Sequence, residues 1–271
     1  MTAKTRRIGV TPPVPVPTAA SSPAAPTTLD RENPIVVMKR YELKYLLTGE
    51  QKDFLTENLQ GRMRPDQFGK TSVASLYYDT PDYRLIRASV EKPEFKEKIR
   101  LRSYGPATEE SPVFLELKRK AEGVVYKRRV KTTIPRANGF FAGTEDVCAG
   151  GQINREITAF RDFYETLVPA CLIVYDRTAY FEPDGDLRLT VDEAPRYRTA
   201  RLRLDDGMDG IPLLGEGGAI LEIKVQTALP LWLAAVLGEG RIYQTGFSKY
   251  GEAYRQQLLK SNRNERTYRY V

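Results

Sequence analysis

Nine segments of this chain alternate charged with apolar residues or are rich in β-forming ones, and that two-residue period most narrows what it can fold into. They are Val36–Leu47, Ser72–Tyr78, Lys96–Tyr104, Val113–Lys120, Val124–Ile134, Leu172–Phe181, Asp186–Glu193, Thr199–Leu204 and Ala219–Val225. Turn-forming clusters such as Gly105-Pro106 and Pro183-Asp184-Gly185 separate them. Successive side chains on a strand point to opposite faces, so each strand presents one row of charge and one apolar row. Arg40, Glu42 and Lys44 share a face, as do Lys98, Arg100 and Arg102, and Glu116, Lys118 and Lys120. Lys127, Arg129 and Lys131 form a fourth such row, Arg188, Thr190 and Asp192 a fifth, and Glu222 with Lys224 a sixth. Eight or nine strands with turns between them predict a sandwich or barrel.

Helices punctuate the strands. Thr48 followed by Gln51 reads as a capping box ahead of Phe54, Leu55, Leu59 and Met63. Asn154 is expected to cap a helix burying Ile157, Phe160, Phe163, Tyr164 and Leu167, and Ser248 a last helix reaching about Lys260. The apolar stretch Leu229–Leu237 reads as a short buried helix, too short to span a bilayer. Residues 1–33 are rich in Pro, Ala, Thr and Ser and read as a disordered tail. One domain over 34–260 and a basic tail over 261–271 complete the expected organisation.

A half-buried sheet ordinarily turns its charged face to water. Two features argue otherwise. These rows are almost wholly Arg, Lys and Glu, where a solvent face would mix in Ser, Thr, Asn and Gln. The helices also carry apolar stripes, and if they cover the apolar rows from outside a closed barrel, the charged rows point inward. Such a bore repels itself when empty and calls for a polyanion. Arg forks and Lys ammonium groups suit phosphate oxygens, and interspersed Glu residues would repel that anion unless a divalent cation sits between them.

Composition excludes much of the rest. The chain has no histidine, which removes every Ser-His, Cys-His and His-metal mechanism within it. Cys148 and Cys171 form no metal-ligand spacing and no disulfide framework, consistent with a reducing, cytoplasmic setting. A bound metal would need oxygen ligands. Lys and Arg outnumber Asp and Glu by 42 to 35, for a net charge of +7 that favours anionic partners. The rows lack interleaved aromatics for base stacking, so nucleic acid is not expected.

Motifs in order along the chain are RYELKY at 40–45, SLYYDTPDY at 75–83, KIRLRSYG at 98–105, FLELKRK at 114–120, VYKRR at 125–129, YDRTAYF at 175–181, LRLTVDE at 187–193, LEIK at 221–224 and FSKYGEAY at 247–254. Together they resemble the VTC domain, the polyphosphate polymerase branch of the CYTH-like triphosphate tunnel metalloenzyme superfamily. That resemblance implies an α+β fold, a closed antiparallel β-barrel of about eight strands with helices outside and a basic tunnel within. It implies transfer of the terminal phosphate of ATP to a polyphosphate chain, with Mn²⁺ or Mg²⁺ required. Arg100 and Arg102 resemble the paired arginines that grip triphosphate oxygens. Lys44, Lys118, Arg177 and Arg188 resemble further phosphate ligands, as does Lys249 at a tunnel mouth beside Ser248. Glu222 matches the metal-binding glutamate, with Lys224 on its face. Tyr175 lies on the Arg177 face, and Lys127 and Arg129 depend on the register of their strand. Many tunnel triphosphatases begin with Glu-x-Glu-x-Lys. Here Arg40 replaces the first glutamate, which removes a hard ligand and adds a phosphate ligand.

Arg100, Arg102, Lys118, Arg177 and Glu222 are therefore the expected catalytic set. Glu42 and Glu116 are either metal ligands or partners of nearby cations, and Asp192 is either a second metal ligand or a partner of Arg188. Inorganic or nucleoside triphosphate hydrolysis, with triphosphate or pyrophosphate as ligand, is the first alternative. A polyphosphate-binding module without turnover is the second. A membrane-protein partner is also open.

Overall fold

The computed structural model describes residues 41–91, 94–121 and 124–257. The chain divides into Met1–Met38 and Lys39–Val271; the Pro-rich segment, the last residues and Arg40 lie outside the described residues. Within the second unit, strands β1 (Tyr41–Leu47), β2 (Arg64–Asp79), β3 (Lys96–Tyr104), β4 (Val113–Ala121), β5 (Val124–Thr132), β6 (Val168–Phe181), β7 (Arg188–Arg198), β8 (Ile211–Pro212) and β9 (Ala219–Val225) form one sheet. Its antiparallel path runs β1-β9-β7-β6-β2-β3-β4-β5, with the short β8 paired to β7 off that path. Helices are α1 (Gly49–Leu59), α2 (Arg84–Val90), α3 (Ile134–Phe141), α4 (Gly151–Tyr164), α5 (Leu231–Glu239) and α6 over 249–257.

The sheet curls, and its two faces bury different things. On the convex face, Ala74, Leu76, Ile99, Leu101, Leu115 and Leu117 pack with Ile134, Ala137 and Phe140 of α3 and Ile157 and Phe160 of α4. Further round, Leu187, Leu189, Leu221 and Ile223 pack with Leu55 and Leu59 of α1 and Leu233, Val236 and Leu237 of α5. A third core lies on the concave face, where Val73, Tyr77, Cys171, Ile173 and Tyr175 meet Tyr250 and Ala253 of α6. Helix α6 thus packs inside the curl, while the other two cores seal the outside. Apolar rows covered by helices force the charged rows inward.

The expected closed barrel is corrected to an open one. Among the described residues β1 and β5, the two ends of the path, do not pair. Segment 244–245 occupies the outer edge of β1, with an antiparallel bridge between Tyr45 and Gln244 and the Thr245 N–H donating to the Lys44 carbonyl at 2.8 Å. The facing edge strand β5 carries Lys127, Arg128, Arg129 and Lys131, charges that protect an unpaired edge. Side chains still cross the seam: Lys118 Nζ of β4 lies 3.6 Å from Glu42 Oε2 of β1.

Local expectations meet mixed outcomes. Thr48 and Gln51 form the capping box of α1. Ser248 Oγ accepts from the Gly251 N–H at the start of α6. Asn154 is not a cap; α4 starts three residues earlier, after Gly150, whose φ of 81° suits glycine. The strand expected through Ile134 stops at Thr132, because Pro135 in the first turn starts α3. No strand forms at Thr199–Leu204. That segment wraps the Arg198 guanidinium, which donates to the carbonyls of Arg201 and Arg203 at 3.0 Å each, so its backbone acceptors are satisfied by a side chain instead of a ladder. No helix among the described residues is long and apolar enough to cross a membrane.

Candidate functional site

Strand register alone brings the charged residues to one surface. Arg100 stands opposite Tyr77 and Arg102 opposite Ser75 on β2. Across the other edge of β3, Lys98 faces Lys118 and Arg100 faces Glu116. Glu116 in turn faces Arg129, and Lys118 faces Lys127. On the other arm, Arg177 faces Asp192, Thr190 faces Glu222, Arg188 faces Lys224, and Lys44 faces Glu222. Each cross-strand pair shares a face, so the whole set lines the concave side.

Two buried carboxylates organise the cations. Glu116, 2% exposed, lies at the centre of four: Arg100 Nη2 at 2.8 Å, Lys127 Nζ at 2.8 Å, Arg129 Nε at 3.6 Å and Arg102 Nε at 3.7 Å. Burial would raise its carboxyl, but Arg100, Arg102 and Lys127 prevail and hold it down to about 2. Arg100 also donates from Nη1 to the Tyr77 hydroxyl at 2.8 Å. Arg102 donates to Ser75 Oγ at 3.2 Å and to the Tyr175 hydroxyl at 3.3 Å. Asp192, fully buried, receives both nitrogens of the Arg177 fork at 2.6 and 2.8 Å and also binds Lys249 Nζ. Burial opposes its ionisation, and Lys249 and Arg177 outweigh that and lower it. The Tyr175 ring lies 4.4 Å from the Lys249 ammonium and 5.1 Å from the Arg177 guanidinium. Asp192 therefore pairs with Arg177 and Lys249, and not with Arg188, which lies against the Phe181 ring.

The third group spans the seam. Lys44 Nζ is 3.1 Å from Glu42 and 3.9 Å from Glu222, and Lys224 Nζ is 2.6 Å from Glu222. Despite burial, Lys224 and Lys44 hold the Glu222 carboxyl far below the usual carboxylate range. Every one of the four lining carboxylates, Glu42, Glu116, Asp192 and Glu222, therefore touches at least two cations. The remaining lining is a surplus of Arg and Lys.

Among the described residues no group of three or more acidic or cysteine side chains converges as a metal cage. Two carboxylates nevertheless fit a hard divalent ion whose other ligands come from substrate and water. Glu42 and Glu222 repel each other, which a cation between them would relieve. Thr190 Oγ1, directly across from Glu222, is buried without a hydrogen-bond partner and adds a neutral oxygen. Glu116 does not fit, because a divalent ion there would meet four cations. Lys98, Ser75 and Tyr77 also line the site, although the sequence pattern assigned them no phosphate or metal role. Lys98 was legible, since KIRLR places it in the Arg100 row. Tyr77 was not, because Tyr77 and Tyr78 are equally good strand formers and only the pairing shows which turns inward.

One of the similar solved structures supports the fold. The chain is similar to a candidate adenylate cyclase of Bacillus halodurans at 15% identity, covering 78% of this chain and 96% of that one, with a TM-score of 0.50. It is similar to another of Vibrio parahaemolyticus at 14% identity, covering 80% and 98%, with a TM-score of 0.44. A candidate adenylyl cyclase of Hippeastrum, described as showing a dominant triphosphatase activity, aligns at 19% identity over 77% and 92%, with a TM-score of 0.45. No curated protein matches the chain in sequence. The family description of the VTC domain matches residues 39–258, from just before β1 to just beyond the described end of α6. With that match across the curled sheet and its cationic lining, the chain belongs to the VTC domain family.

Proposed function

We propose that the protein is a divalent-metal-dependent polyphosphate polymerase that transfers the terminal phosphate of ATP to a phosphate chain lying along the concave face. One observation carries this reading: the lining is a continuous cationic surface whose carboxylates are all already engaged, so its surplus charge calls for a long polyanion. Membership of the VTC domain family supports it. Phosphoryl transfer passes through a loose transition state, so catalysis rests on alignment and charge stabilisation.

In this reading Arg100, Arg102, Lys118 and Arg177 bind the nucleotide's phosphate oxygens. Lys44, Lys127, Arg129, Arg188, Lys224 and Lys249 continue the track. Glu116 and Asp192 hold the arginine forks in place before substrate arrives, a preorganisation that lowers reorganisation at the moment of transfer. Ser248 and Tyr175 contribute hydroxyls at the α6 end. A divalent ion held by Glu222 and Glu42 would supply further charge neutralisation at the transferring group. The acceptor, a phosphate-chain terminus, is already anionic, so no strong general base is required. A chain without histidine meets that condition.

A second reading is hydrolysis of inorganic or nucleoside triphosphate, favoured by the open seam between β1 and β5, which admits water to the lining. Incubation with ATP and Mn²⁺ followed by gel electrophoresis separates the two. A ladder is expected, and it should vanish in Glu222→Ala while the variant stays folded by circular dichroism. Free phosphate without a ladder would establish the hydrolase, and tight polyphosphate binding without turnover a binding module.

A further inference from the structure

Lys98 differs from the other lysines whose ion pairs shape the lining. Among the described residues it makes no ion pair, and its hydrogen bond goes to Ser248 Oγ at 3.1 Å. That oxygen already accepts from the Gly251 N–H, so the amine points at the N-terminus of α6, the positive end of a helix dipole. Its cross-strand neighbour on β4 is Lys118. Lys44 of β1 and Lys96 of its own strand repel it as well, while Tyr77 of β2 favours its charge. Burial is the largest reason its ammonium form is disfavoured, and these like charges add to it, drawing Lys98 down to about 8. Among the described residues the position thus lacks a counter-charge, and phosphate oxygens would bring one.

We propose that Lys98 is the residue at which the concave face takes up a proton when a phosphate chain binds. Phosphate oxygens entering between Lys44, Lys98 and Lys118 supply the missing negative charge, and the amine becomes a full ammonium. The proton comes from solvent, so affinity for the polyanion falls as pH rises through the range where the empty protein has lost that proton. Two other groups compete for a proton: Lys127 is drawn down by burial but already has its counter-ion in Glu116 at 2.8 Å, and Tyr77 is drawn down to about 8. Burial opposes its ionisation, but Arg100, Lys98 and Arg102 outweigh that. Its oxygen, however, is held by Arg100 Nη1, which stays charged throughout. The uptake therefore belongs to Lys98.

This inference rests on the polyanion reading of the site, and calorimetry distinguishes the two. Tripolyphosphate is titrated into the full chain near pH 8, without divalent metal, in HEPES and in Tris, whose ionisation enthalpies differ. The difference in heat counts protons exchanged. Titration of the ligand itself is common to every variant and cancels in the comparison. Wild type is expected to take up about half a proton more than Lys98→Arg near pH 8, with the difference vanishing by about pH 6. Tyr77→Phe is expected to keep the uptake. Lys98→Met, a second variant checked for folding by circular dichroism, is expected to bind more weakly and without it. Binding with equal uptake in wild type and Lys98→Arg, or uptake lost in Tyr77→Phe alone, would overturn the proposal. No binding by wild type would overturn the polyanion reading and this inference with it.

Discussion

At the scale of single residues, Glu116 governs the site without needing to touch substrate. Four cations surround it, so Glu116→Gln leaves them facing one another inside a low-dielectric wall. Breaking such a buried cluster costs roughly 3 kcal/mol. The sign with pH follows from its depressed carboxyl. The stability it contributes is present above its ordinary value of 4.5 and is lost as pH falls from there toward 2. Urea melts across this range are expected to show Glu116→Gln less stable at neutral pH and converging with wild type at the acid end. A gap that persists unchanged at pH 2 would count against the assignment. Because the substitution also removes a negative charge from the lining, tripolyphosphate should bind the folded variant more tightly. Arg100, Arg102 and Glu116 were all legible as members of alternating rows. For Glu116 the sequence left metal ligand and counter-ion both open, and the antiparallel pairing of β3, β4 and β5 decided it by bringing Lys127 and Arg129 to the same carboxylate.

At the scale of elements, α1 and α6 make contrasting tests. The capping box of α1 lies outside the concave face. Thr48→Ala is expected to cost about 1 kcal/mol, or about 2–4 °C in Tm, and to leave ligand binding unchanged. Helix α6 is different, since it reaches into the lining. Tyr250 stacks on Tyr77 at 4.7 Å between ring centroids, and its hydroxyl donates to Asp79 Oδ2 at 2.9 Å. The buried Asp79 also accepts from the backbone N–H groups of Thr80, Leu85 and Ile86, which ties α6 to the start of α2. Tyr250→Phe keeps the stack and removes that bond, at a cost of about 1–2 kcal/mol. If α6 positions Lys249 and Ser248, the variant should also lose affinity for tripolyphosphate. A loss of stability with affinity intact would confine Asp79 and Tyr250 to packing. The caps at Thr48 and Ser248 could be read locally, because a cap is an interaction within a few residues. Gly150 in place of Asn154, and the loop around Arg198 in place of a strand, depended on distant partners or on backbone angles that composition leaves open.

At the larger scale, the curled sheet of Lys39–Val271 turns its charged rows to the concave side, beside the apolar core under α6, and buries its other apolar rows beneath the helices outside. Binding driven by that lining should be strongly screened. Raising salt from about 0.05 to about 0.5 M is expected to weaken tripolyphosphate binding about tenfold or more, as measured by titration. An affinity indifferent to salt would argue against the concave face as the binding surface. The alternating period determined, without any coordinates, that the chain forms strands with one charged and one apolar row, and the absence of histidine determined which chemistries were closed to it. Those properties are local or compositional. Tertiary structure alone decided that, among the described residues, the sheet stays open, Glu116 and Asp192 are counter-ions to arginine forks, and Lys98 is left without a carboxylate. Each of these depends on strand register and on which segment reaches an edge first. Residues 244–245 take the edge of β1, and no period in the sequence encodes that competition.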